Sequence, residues 1–72
     1  MAIEAPFHRS GFLFFSDIEG TRHAVRLNAI TAVRDADEVG TETQVVIHGR
    51  GVIATPYRLS ELFEGMTGDA LW

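Results

Sequence analysis

Cysteine and lysine are both missing from this 72-residue chain. Without cysteine it forms no disulfide and offers no thiolate to a metal. Without lysine, all six cations (Arg9, Arg22, Arg26, Arg34, Arg50 and Arg58) are guanidinium groups. Such groups make bidentate contacts with carboxylates and phosphates. Ten carboxylates outnumber them and leave a net charge of −4. That balance argues against non-specific nucleic-acid binding, which draws on excess positive charge. No apolar run approaches the roughly 18 residues of a membrane-spanning helix, and Phe12 to Phe15 is only four long. Residues 1–10 carry Glu4, His8 and Arg9, unlike the core of a signal peptide. The expectation is a cytoplasmic protein with no membrane partner.

What is present is grease. Apolar residues make up 46% of the chain. A domain this short buries only about 60% of the surface its unfolded chain exposes, so its stability is marginal. Self-association is the simplest way to cover the remainder, which predicts a homo-oligomer, most simply a dimer.

The pattern along the chain predicts an α+β fold, mainly β. A small antiparallel meander of four to five strands, SH3-like or an open barrel, is closed by one C-terminal helix. Residues 1–10 read as a flexible N-terminal arm docking through Phe7, and 11–72 as a single domain. Gly11 to Ile18 is the first strand, with Phe12 and Phe14 on one face and Leu13 and Phe15 on the other. Asp17 to Gly20 reads as a hairpin turn in which Gly20 takes positive φ. In the return strand Thr21 to Leu27, His23, Val25 and Leu27 face one way, and Arg22, Ala24 and Arg26 the other. Asn28 marks a bulge or turn before the strand Ile30 to Arg34. The acidic stretch Asp35 to Glu42 connects to a strand over Thr43 to His48, and Gly49-Arg50-Gly51 reverses the chain into Val52 to Ala54. Thr55 and Pro56 fit the N-cap and first helical positions. Leu59, Leu62, Phe63 and Met66 then share one helical face, ended by Gly65 or Gly68, and Leu71 and Trp72 form an apolar tail.

Few residues suggest chemistry. An EF-hand-like reading from Asp35 places Val39 and Val46 where ligands are needed. His23 and His48, with Asp17 or Glu19, lack any metal-site spacing. Ser10, Ser16 and Ser60 have no recognisable nucleophile setting. Gly49-Arg50-Gly51 joins two strands and lacks the strand-to-helix passage of a phosphate loop. No catalytic residue, metal ligand or cofactor is therefore assigned, and the chain reads as non-enzymatic. The interface candidates are Phe12, Phe14 and Phe15, with Arg22 and Arg26 as a polar rim. Arg22 and Arg26 lie about 13 Å apart along one strand face. With Arg34 or Arg50 nearby they form a stripe. The alternative is a nucleic-acid-associated regulator using it, the least favoured alternative being a metal site of His23, His48 and nearby carboxylates. Pairing with Asp35, Glu42 or Glu19 would neutralise the stripe within the chain.

Several short features resemble the short flagellar FlbD-type proteins over residues 12–66. They are the Glu19-Gly20 turn, Asn28 followed by Ile30 and Val33, and the strand Thr43 to Ile47. The turn Gly49 to Gly51 and the segment Arg58-Leu59-Ser60-Glu61-Leu62-Phe63 complete the set. The resemblance implies a bacterial β-meander closed by one helix, with a flagellar role. The long acidic loop, the Phe-rich first strand and the missing lysines depart from that pattern. A weaker similarity to DNA-binding output domains of LytTR type implies a basic surface. Taken together, the reading is a small bacterial binding or regulatory module working through protein–protein contacts.

Overall fold

A computed structural model describes residues 4–69. Six strands form two three-stranded antiparallel sheets, and one helix follows them. The first sheet contains β1 (Phe7–Arg9), β2 (Phe12–Ser16) and β3 (Arg22–Arg26), with β2 central. The second contains β4 (Ile30–Asp35), β5 (Thr43–Ile47) and β6 (Gly51–Thr55), with β5 central. Helix α1 spans Leu59–Thr67. The fold is thus mainly β with a C-terminal helix, as the pattern predicts. The strands number six instead of four or five, and they divide into two sheets.

The division falls at Leu27–Ala29, a single 3-10 turn centred on the Asn28 that interrupts the sequence pattern. Leu27 N–H donates to the Gly11 carbonyl and His48 N–H to the Ala29 carbonyl, so the turn is tied to both sheets. The extra strand is β1, which lies within the stretch read as an arm. Ser10 and Gly11 both take positive φ, 54° and 82°, which is the two-residue hairpin geometry that folds β1 onto β2.

The inner faces of the sheets and helix enclose the core of Leu13, Phe15, Val45, Ile47, Tyr57 and Leu62. Thr43 and Thr55, wholly buried on β5 and β6, bond to each other through their hydroxyls, which satisfies both away from water. Thr55 is therefore the end of β6 and not the helix cap. The cap is Arg58, whose N–H donates to Glu61 Oε1 at 2.9 Å, and Arg58 has no acceptor to complete a reciprocal bond. Gly68, in the left-handed region at φ 81°, closes the helix by donating to the Glu64 carbonyl. The predicted stripe holds: Leu62 is fully buried, and Leu59, Phe63 and Met66 are half-buried.

The helix lies against β1 and β4 and so bridges the two sheets. Gly65 permits this, because a Cβ there would stand 2.5 Å from the Pro6 carbonyl oxygen. His8 Nδ1 donates to the Gly65 carbonyl at 2.9 Å from the same side. The apolar tail Leu71–Trp72 lies outside the described residues. No helix among the described residues is long and apolar enough to cross a membrane.

Candidate functional site

Period-two alternation splits the β2 side chains cleanly. Leu13 and Phe15 go inward, at 0% and 4% exposure, while Phe12 and Phe14 stay half-buried on the outer face of the first sheet. Antiparallel register brings their neighbours alongside. Phe7 sits opposite Phe14, Arg9 opposite Phe12, Arg26 opposite Phe12 on the other flank, and Arg22 opposite Ser16. The Phe7 and Phe14 rings stack at 5.0 Å with a 16° tilt. Phe12 follows at 6.4 Å from Phe14, and the Arg26 guanidinium lies over the Phe12 ring at 5.0 Å. The outcome is a row of three rings flanked by three arginines.

Four of the five interface candidates, Phe12, Phe14, Arg22 and Arg26, therefore share one face. Phe15 does not join them. It is part of the core and stacks on the His23 imidazole at 5.3 Å. The sequence groups Phe7 with the other rings as the docking residue of an arm. Neither the strand β1 nor the place of Arg9 on this face is legible in it, because a three-residue strand behind a proline carries too little periodicity to register. Phe7 is 46% exposed and is the outermost ring of the row.

The face is also electrically distinct. Strands β1, β2 and β3 contain three arginines, two histidines and no carboxylate. Seven of the ten carboxylates (Asp35, Asp37, Glu38, Glu42, Glu61, Glu64 and Asp69) belong to the end of β4, the loop after it, and the helix with its C-terminal flank. Among the described residues the single cation–carboxylate contact is His23 Nε2 with Asp17 Oδ2, at 2.8 Å. The intramolecular pairs expected to neutralise the arginine stripe are not formed. Arg34, on the second sheet, instead donates from Nε to Gln44 Oε1. At one end of the outer face a small cavity of about 150 Å³ is lined by Glu4, Phe7, Phe14, Ser16, Arg22 and His23.

Asp17 is an architectural group. Its Oδ1 accepts from the Glu19 and Thr21 N–H groups and its Oδ2 from His23, which fixes the β2–β3 turn, with Gly20 at φ 87°. The His23 bond, helped by the two backbone donors, holds the Asp17 carboxyl below its ordinary value of 3.8 against the opposing effect of burial. Among the described residues the hydrogen-bond partner of the His23 ring is Asp17. No three His, Asp or Glu side chains cluster with metal-binding geometry among those residues. In the acidic loop, Asp37 Oδ1 accepts the Gly40 N–H at 2.7 Å, so the loop closes upon itself.

No family model matches the chain, no curated protein matches it, and no solved structure matches it.

Proposed function

We propose that this chain is a small, non-enzymatic binding module whose working surface is the outer face of the first sheet. One observation carries the reading: three phenylalanine rings and three arginines share a sheet face, and no carboxylate of the described residues pairs with those arginines. Aromatic and arginine side chains are the residues in which binding energy concentrates, because they combine large contact area with directional polar groups. A guanidinium that pairs with no carboxylate of the described residues is open to a carboxylate or phosphate of a partner.

Self-association belongs to the proposal at a different place. Among the described residues strand β6 pairs only with β5, and beside its other edge Ile18 and Val52, about half exposed, lie together. Ile18 N–H takes the Ala54 carbonyl, which leaves the rest of that edge for a second copy. In this arrangement the two sheets act as halves of an SH3-like open barrel, joined by that bond. The FlbD-type resemblance adds a bacterial, flagellar setting to the proposal.

Photocrosslinking from a benzoyl-phenylalanine placed at position 7 tests the main reading. Discrete adducts are expected from position 7 and none from position 39, where Val39 is the most exposed large apolar side chain among the described residues. Identical patterns from both positions would refute it. Sedimentation of Val52→Lys tests the second element, and the expected outcome is loss of any dimer with the position 7 adducts retained.

A further inference from the structure

We infer that the outer face of the first sheet binds single-stranded nucleic acid. The inference rests on the reading just given and names its ligand. The occupant has to satisfy two demands at once, flat groups to cover the ring row and negative charge to meet Arg9, Arg22 and Arg26. A single strand supplies both in alternation, as exposed bases and phosphates. A duplex hides its base faces, so it meets only the second demand. A second copy placed face to face would set arginines against arginines, because a two-fold contact repeats the same patch on both sides. The acidic total does not oppose the inference, since no carboxylate lies on β1, β2 or β3. The carboxylates nearest the ring row border it: Glu4 in the cavity it shares with Arg22, and Glu61 and Glu64 of the helix beside Phe7.

The geometry gives each group a task. Phe7, the outermost ring, offers its free face to a base while Phe14 supports it from behind at 5.0 Å. Arg26, lying over the Phe12 ring, holds a third positive charge at the row for a phosphate. Arg9 and Arg22 flank the row toward opposite ends of β2, opposite Phe12 and Ser16, where a backbone crossing the sheet would pass.

Fluorescence anisotropy with oligo(dT) and oligo(rU) of about ten nucleotides tests this, the site size of one small β-domain being of that order. Three phosphate contacts predict a log–log salt slope near −2, so affinity falls about 20-fold between 50 and 200 mM salt. Phe7→Ala is expected to weaken binding at least about five-fold and Phe7→Tyr to restore it, as a stacking ring requires. Arg26→Ala should reduce the slope by about 0.7, while Arg34→Ala, on the other sheet, leaves it unchanged. Phe7 and Arg26 are exposed, so these variants fold, and an unchanged melting temperature verifies it. Absence of binding at low salt overturns the inference, as does equal binding of a duplex or of polyglutamate. In those cases position 7 crosslinks to protein would leave the binding face itself standing, and their absence would remove both.

Discussion

Removing one oxygen atom, in Tyr57→Phe, is the sharpest probe of how this fold is fastened. The Tyr57 side chain is 4% exposed, and its hydroxyl does two jobs. It accepts the Ser16 N–H at 2.8 Å, at the end of the central strand of the first sheet, and donates to the Glu4 carbonyl at 3.0 Å. One oxygen therefore ties the segment after β6 to β2 and to the residues ahead of β1. Phenylalanine keeps the ring and its packing but leaves the buried Ser16 N–H without an acceptor, a penalty of about 1–3 kcal/mol. Loss of the Glu4 bond adds little, because Glu4 is exposed and its carbonyl can turn to water. A net cost near 2 kcal/mol lowers the melting temperature of a domain this size by roughly 8–16 °C. Thermal and urea unfolding followed by circular dichroism measure it, with amide exchange at Ser16 as the local readout. A variant as stable as the parent would refute the argument, since it would mean that the Ser16 N–H finds another partner or that water reaches it.

Three further perturbations address other joints. Leu62→Ala, at the wholly buried centre of the helix stripe, should cost about 2–5 kcal/mol, measurable by urea unfolding and comparable to much of the total stability of a 72-residue domain. Gly65→Ala should destabilise despite the roughly 1 kcal/mol gain in helix propensity, because the new methyl meets the Pro6 carbonyl; faster amide exchange at Phe7–Arg9 would accompany it, and simple stabilisation would count against the contact. The Asp17 carboxyl is held below 3.8 in the folded chain, so its contribution to stability is complete above that value and disappears as pH falls through the lower folded one. Melting temperature measured downward from about pH 5 should therefore decline less steeply in Asp17→Asn than in the parent.

Local patterns carried most of the secondary structure. The alternation through Phe12–Phe15, the Gly20 turn, the Asn28 interruption and the Gly49–Gly51 reversal each appear where the residue types require them. What the chain order does not encode is which of two apolar faces turns inward. Phe15 and Phe12 are the same residue, and only the position of the helix and second sheet sends one inside. The helix starts later than the pattern predicts for a related reason. Thr55-Pro56 satisfies the capping rule, but the Thr55 hydroxyl is taken by Thr43 across the sheet, a pairing invisible to a linear scan. The arginine stripe was legible as a parity pattern, yet its freedom from carboxylates follows from how the two sheets divide the charge, and no single segment contains that information.

The meeting of Pro6 with Gly65 also offers a fingerprint. Backbone touches backbone there, so the constraint falls on the absence of a side chain and not on any chemistry a similarity search would weigh heavily. Distant kin could replace every ring and arginine of the outer face and still need a bare position one turn before the helix ends, matched to a proline just ahead of the first strand. Any chain that docks a helix on a sheet in this way meets the same requirement, with the left-handed glycine three residues later as its second anchor.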